Sequence, residues 1–367
     1  MNILFINPIL FTSEKGVIPE VATIKETMCY NMCLGFVAHG HQVTLAAADE
    51  YRPCREEDDY AFEVLFFKSA LRRLFPPTVL PLSFDLYRYL KANHSKYDLI
   101  VSSEVFSFTS LFAARRCPAK TVIWHEMPYH QQKFGKMPSR FWHRVVVPLF
   151  MRKVKRVVPR SEKARLFICK YMKNVSTEYV DHGVNVSCFE FSREKKRQFI
   201  SSSQLIFRKN VERIIEIFGR LVQIKGYGDM QLLIAGRGAY RAYLEALTER
   251  LHLQDNVSFL GFLPQKELND RIKESVAFLI ATRRDLNMVS IAEAIVSGTP
   301  PVTNLIPASA DYVTKEKLGI AKNDWDEHDL IDVIANNRIY VDRCVDYREK
   351  LTNSHCAGMI IDIFLET

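Results

Sequence analysis

The chain has 367 residues, 48% of them hydrophobic and 25% charged, with a formal net charge of +8. That length points to two domains rather than one, and the composition excludes a disordered or fibrous chain. No apolar run is long enough for a transmembrane helix. The apolar start, MNILFINPILF, lacks a basic leader and a small-residue cleavage site, so it reads as a first strand and not as a signal peptide. The eight cysteines form no C-x-x-C pair, which fits reduced thiols in a cytoplasmic protein and gives no metal site. The positive charge is uneven. Residues 1–190 hold 26 Lys and Arg against 18 Asp and Glu, whereas residues 191–367 hold 24 of each. Between Lys133 and Lys173 there are 13 basic residues and one acid, Glu162, a pattern that attracts anions.

In chain order, Asn2–Pro8 has the apolar run of a buried parallel strand. Ile24, Met28, Met32 and Phe36 recur at helical spacing and predict a helix from about Val21 to His39, ended by Gly40. His41–Leu45 begins the next strand, completing a βαβ opening. Residues 51–90 show no clear period, and Glu56–Asp59 reads as a solvated acidic loop. A strand follows at Tyr97–Val101, a helix at Ser107–Arg116 and a strand at Lys120–His125. His125 thereby falls at the carboxyl end of a parallel strand, where such sheets bind ligands; a packing histidine has the same pattern. Phe141–Val158 is apolar and basic together. It reads as a core helix leading into a buried strand, interrupted at Pro148, with its basic residues left to meet anionic lipid.

Ser192–Arg197 is a charge-rich break read as a linker. After it, strands are predicted at Gln198–Ser203, Gln231–Ala235, Asn256–Phe262 and Val276–Ala281. Helices alternate with them at Lys209–Ile224, Tyr240–Leu251 and Leu263–Glu274. This alternation predicts a second parallel, doubly wound sheet. Helices are also expected at Asp326–Asn337 and from Arg348 onward.

The most informative stretch runs from Phe278 to Val302. Its strand ends in a polar loop carrying Asp285, followed by a helix carrying Glu293 and a Ser-Gly-Thr-Pro exit. The first free amides of that helix, near Met288, Val289 and Ser290, suit a phosphate. Glu293 is placed to accept hydrogen bonds from a ribose.

This stretch resembles the E-x(7)-E signature of the retaining glycosyltransferases of family 4, which have the GT-B fold. Gly40-His41-Gln42-Val43-Thr44, Gly236-Arg237-Gly238 and Gly298-Thr299-Pro300 match that family in order and spacing. The resemblance implies an α/β protein of two Rossmann-like doubly wound parallel-sheet domains facing a central cleft. Residues 1–191 would form the acceptor-side domain and 192–345 the donor-binding domain. Residues 346–367 would form a final helix of the kind that commonly crosses back to the first domain.

By the same resemblance, Asp285 contacts the donor sugar, Glu293 the ribose, His125 the transferred sugar and Lys209 the diphosphate. Gln204 stands where the family has an arginine, and Asp285 where it has a glutamate. Gly236, Phe262, Asn287, Met288, Val289 and Ser290 complete the donor-binding set. Gly16 either joins the phosphate contacts or is a turn glycine. The implied activity is transfer of a hexose from a nucleotide sugar, UDP-linked, to a glycan or lipid-linked acceptor in surface polysaccharide synthesis. The nucleotide sugar is a substrate, and no cofactor or metal is implied. The expected partners are the donor, that acceptor and an anionic membrane contacted peripherally by residues 133–173, at the inner face of the membrane. No nucleic acid is expected, because the basic stretch has no recognition motif. The departures at Gln204 and Asp285 raise an alternative, a GT-B scaffold that binds nucleotide sugar or glycan without turnover.

Overall fold

A computed structural model describes residues 1–11, 18, 20–55, 59–132 and 136–366. Gly16, Glu56, Glu57, Asp58 and Lys133 lie outside the described residues. The chain divides into two compact units, Met1–Gly183 with Thr352–Thr367, and Val184–Leu351. The sequence reading placed its breaks at 191/192 and 345/346.

The first unit holds a six-stranded sheet of order β3-β2-β1-β4-β5-β6, every pairing parallel. The strands are β1 (Asn2–Ile6), β2 (Gln42–Ala48), β3 (Glu63–Phe67), β4 (Leu99–Ser103), β5 (Thr121–His125) and β6 (Arg156–Pro159). Ile3–Ile6 and Leu99–Val101 are fully buried, as expected where helices cover both faces of a parallel sheet. Its helices are α1 (Met28–Ala38), α2 (Phe84–Asn93), α3 (Phe108–Arg116), α4 (Lys136–Phe141) and α5 (Glu162–Ile168).

The first helix starts later than its apolar period predicts. Thr27 is extended and its hydroxyl accepts the Tyr30 amide, which sets the helix start there. Ile24 is fully buried all the same, as part of the turn before the helix. Residues 51–90, unreadable by period, contain the half-buried edge strand β3 and helix α2, capped by Ser83. Helix α4 runs on as a π-helix, Trp142–Met151, around Pro148, which has no amide hydrogen to donate. Its buried side is Trp142, His143, Val147 and Met151. Met137, Phe141, Leu149 and Phe150 are exposed, so the apolar residues here are not all core.

The second unit repeats the arrangement. Its sheet has the order β12-β11-β10-β7-β8-β9 and every pairing is parallel. The strands are β7 (Lys196–Ser202), β8 (Gln231–Ala235), β9 (Val257–Gly261), β10 (Ser275–Leu279), β11 (Pro301–Thr303) and β12 (Ile320–Ala321). The helices are α6 (Val211–Val222), α7 (Arg241–Arg250), α8 (Gln265–Lys273), α9 (Val289–Val296), α10 (Ala310–Lys315), α11 (Glu327–Ala335) and α12 (Asn337–Tyr347). The charged segment read as a linker runs into β7. Lys196 pairs with Glu274 at 2.7 Å and Arg197 with Asp229 at 2.6 Å, so these charges anchor the strand entrance.

The last helix, α13 (Asn353–Leu365), belongs to the first unit. Thr352 caps it by accepting the His355 amide, and Cys356, Ala357, Ile360 and Ile363 join the core of that unit. It packs on α1 at Gly35, where a Cβ would stand 2.2 Å from the Asn353 carbonyl oxygen. Gly35→Ala is therefore expected to destabilise the protein by about 1–3 kcal/mol through overpacking. The check is a lower urea midpoint at unchanged slope; an unchanged midpoint would mean that α13 does not rest on α1 there.

Candidate donor site

In the second unit the strand order reverses between β7 and β10, which pair through Phe199↔Ala277 and Ile200↔Phe278. At such a reversal the loops leaving the two strands diverge and open a crevice at their carboxyl ends. The β7 loop carries Arg208 and Lys209, and the β10 loop carries Thr282 to Asp285. The backbones are stitched together: the Arg283 amide donates to the Arg208 carbonyl at 2.8 Å, and Thr282 Oγ1 to the same oxygen at 3.1 Å.

Three groups converge on the Asp285 carboxylate. Lys209 Nζ lies 2.6 Å from Oδ2, Arg208 Nη1 3.1 Å from Oδ1, and Thr282 Oγ1 3.2 Å from Oδ2. The Lys209 and Asp285 side chains are each 12% exposed, and Arg208 33%. The structure thus brings Lys209 and Asp285 together and adds Arg208, four residues beyond the position at which an arginine is expected, Gln204. The cause is local. The helix predicted from Lys209 starts later: Phe207–Lys209 is a 3-10 turn, and Asn210 is left-handed at φ 55° before α6 begins at Val211, which leaves Arg208 and Lys209 on the loop that faces β10. Asparagine tolerates that conformation better than most residues.

Next to this cluster the β10 loop enters α9. Met288 is the extended residue before the helix, and its side chain makes no capping hydrogen bond. The opening amides at Val289 and Ser290 are of the kind that bind anions. Ser309 fixes the approach, donating to Asn287 Oδ1 at 2.7 Å and accepting the Met288 amide at 3.4 Å. Glu293 lies on the second turn of α9. Burial pushes its carboxyl up to about 7, against a lowering hydrogen bond from Gln265.

The remaining donor-set residues occupy the neighbouring loops. Gln204 is exposed on the β7 loop. Gly236 has φ 132°, and a Cβ there would stand 1.8 Å from the Ser203 carbonyl oxygen. Backbone packing between the β7 and β8 loops is enough to require glycine there. Phe262, at the end of β9, is 60% exposed, with the Arg237 guanidinium 5.7 Å from its ring centre.

A family model described as glycosyl transferases group 1 matches residues 189–351, and one described as glycosyltransferase family 4 matches residues 26–203. Sucrose-phosphate synthase from Thermosynechococcus elongatus superposes over 99% of this chain and 98% of its own, with a TM-score of 0.69 and 15% identity. The chain belongs to the family 4 glycosyltransferases of the GT-B fold. HepE from Anabaena, solved in complex with UDP and glucose, shares the fold at a TM-score of 0.63 and 15% identity, covering 99% of this chain and 98% of that one. Alpha-monoglucosyldiacylglycerol synthase of Streptococcus pneumoniae is 23% identical over 201 residues, 50% of this chain and 45% of that protein. The chain spans less than half the length of the curated relatives it matches.

In the first unit of this glycosyltransferase, His125 ends β5 with no exposed surface. Its Nδ1 stands 3.0 Å from Glu104 Oε2 without hydrogen-bond alignment, and its ring stacks on Phe167 at 6.1 Å. The ring offers no atom to a sugar in this conformation. The neighbouring Glu126 is the polar centre there. Arg160 Nη1 donates to its Oε2 at 2.8 Å, His182 Nε2 lies 3.6 Å from its Oε1, and Arg160 stacks 3.6 Å above Trp124. Burial alone would push the Glu126 carboxyl up; Arg160 and His182 override it and hold it at about 2. The sequence signal for this cluster was slight: an acid directly after His125, and a basic residue just past the end of β6.

Glu293 supplies a pH prediction. Its carboxyl titrates higher in the folded protein than in the unfolded chain, so its contribution to stability is fully present below the usual carboxylate range. It is lost as pH rises toward about 7. Glu293→Gln is expected to gain stability relative to wild type by about 1 kcal/mol per pH unit at most between pH 5 and 7, levelling off above. Urea unfolding across that range measures it; a pH-independent difference would show that the carboxyl is not held in its neutral form.

Proposed function

We propose that this glycosyltransferase transfers a hexose from a UDP-linked donor to a glycan or lipid-linked acceptor, with retention at the anomeric carbon. The observation that carries this reading is the convergence of Lys209 and Arg208 on Asp285 beside the uncapped start of α9. Two cations share one carboxylate, which leaves a positive charge for a diphosphate. Arg208 offers a charged, forked guanidinium where Gln204 has only a neutral amide, which favours turnover over an inactive scaffold. In the reaction the bond from the anomeric carbon to the diphosphate oxygen breaks, the acceptor hydroxyl oxygen bonds to that carbon on the same face, and its proton passes to the departing diphosphate. Lys209, Arg208 and the α9 amides stabilise the departing diphosphate without a resident metal in this reading. Asp285 holds the two cations in register and orients the sugar, and Glu293 accepts hydrogen bonds from the ribose. Two similar proteins, one solved with UDP and glucose and one a glucosyldiacylglycerol synthase, support the donor and acceptor classes.

The test is thermal stabilisation by UDP and GDP nucleotides and their sugars, with and without magnesium, followed by product analysis. UDP is expected to raise the melting temperature, and Lys209→Ala and Arg208→Ala to reduce the shift, each losing a charge-assisted contact worth roughly 1.5–3 kcal/mol. Transfer or slow donor hydrolysis should accompany binding, with the anomeric configuration kept in the product by NMR. Stabilisation by no nucleotide would overturn the reading.

We place the enzyme peripherally on an anionic membrane. The support is the helix running from Lys136 to Met151, where exposed Met137, Phe141, Leu149 and Phe150 alternate with exposed Lys136, Arg140 and Arg144. Apolar side chains beside basic ones suit a headgroup boundary. No described helix is long and apolar enough to cross a membrane. Sedimentation with phosphatidylglycerol vesicles should exceed that with phosphatidylcholine vesicles, and Phe141→Ser with Leu149→Ser should weaken it. Equal recovery with both vesicles, or none with either, would contradict the placement.

A further inference from the structure

The second unit carries a cleft of about 670 Å³ whose lining includes none of Lys209, Arg208, Asp285, Gly236, Phe262 or Glu293. It is formed by α6, the start of α7, the β10 loop and the segment leading into α11. That volume lies within the range of small-molecule sites. Its features are aromatic surface, a buried unsatisfied carboxylate oxygen and balanced charge.

The aromatic surface comes from Phe207, Tyr240 and Tyr243. Tyr240 and Tyr243 stack with centres 4.6 Å apart, and Phe207 meets Tyr240 edge-on at 6.1 Å. Phe207 is 60% exposed and Tyr243 45%. Large rings grouped on a polar surface and left uncovered mark a binding surface more often than a scattered exposed residue does. Their faces are electron-rich and attract the polarised C–H groups of a sugar ring.

Glu212 supplies the polar anchor. It is 7% exposed, and its Oε1 accepts from Arg283 Nη2 at 2.6 Å. Its Oε2 is buried with no hydrogen-bond partner. A buried carboxylate oxygen without a donor costs free energy, and a ligand hydroxyl would satisfy it. Arg283 is fixed at the same time, with its guanidinium 3.9 Å over the Phe207 ring. At the rim, Asp324 is exposed and offers further acceptor oxygens.

The charge of the lining selects among ligands. Four carboxylates face three arginines around the cleft. With no positive excess, a nucleic acid or a phosphate gains little here, whereas a neutral polyhydroxylated ligand finds aromatic faces beside paired acceptors and donors. We infer that this cleft is a second binding site, for a neutral oligosaccharide segment, separate from the donor site. The inference stands independently of the donor reading: the cleft borders the same loops through Phe207, Asn210 and Arg283, but none of Arg208, Lys209, Asp285 or Glu293 lines it.

The test uses the full chain without donor. Maltotriose, cellotriose and chitotriose at millimolar concentration are the probes, followed by saturation-transfer difference NMR. At least one is expected to bind wild type. Tyr243→Ala and, separately, Asp324→Asn should weaken that binding, the aromatic change by roughly tenfold or more. Both positions are exposed, so both variants are expected to keep the wild-type melting temperature, and the melting shift given by UDP should be unchanged in both. Failure of all three probes to bind wild type would overturn the inference. So would binding that both variants retain at full strength, or displacement of the bound probe by UDP, which would assign the cleft to the nucleotide instead.

Discussion

The parallel pairing of β7 with β10 is the constraint on which the candidate donor site depends. Because the strand order reverses there, loops separated by more than seventy residues in sequence leave the sheet side by side. Lys209 and Asp285 then meet across the gap, mostly shielded from water. Such a pair is costly to break on one side, because the remaining charge is left without compensation. Arg208 makes the cluster cationic overall, and the uncapped start of α9 adds oriented amides of the same sign. Positive potential is therefore built into the loops before any ligand arrives, which is what preorganised stabilisation of a leaving diphosphate requires.

Much of the fold was legible because parallel strands buried on both faces read as short apolar runs. Gln231–Ala235 was bounded correctly from sequence, and the alternation of strands with amphipathic helices gave both sheets. What escaped has physical causes. The strand β3 lies at a sheet edge and is only half-buried, so its pattern is weak. The start of α1 is set by the Thr27 cap and not by the apolar period. The π-helix around Pro148 shifts which residues face the core, a register that a helical period cannot supply.

The site divides in the same way. Asp285, Glu293 and Lys209 are singled out by their match to the family motifs, and the structure brings Lys209 and Asp285 into contact. Arg208 is not, since its direction depends on a 3-10 turn ended by left-handed Asn210. Gly236 is required by backbone crowding against Ser203, which explains the glycine without a ligand. His125 was rightly placed at a strand end, yet it is sealed beneath Phe167 while Glu126, Arg160 and His182 form the polar cluster next to it. That cluster becomes visible only when β5 and β6 are known to be neighbours. The aromatic cleft of the second unit draws on residues from Phe207 to Asp326, and no local motif announces it.

The measurement that bears most directly on the central claim is a crystal structure with UDP bound. The account predicts that the diphosphate lies at the amides of Val289 and Ser290, within hydrogen-bond reach of Lys209 Nζ, with the ribose hydroxyls on the Glu293 carboxylate. A diphosphate bound elsewhere, with Lys209 still paired only to Asp285, would contradict it and leave the ion pair as a structural tie between two loops.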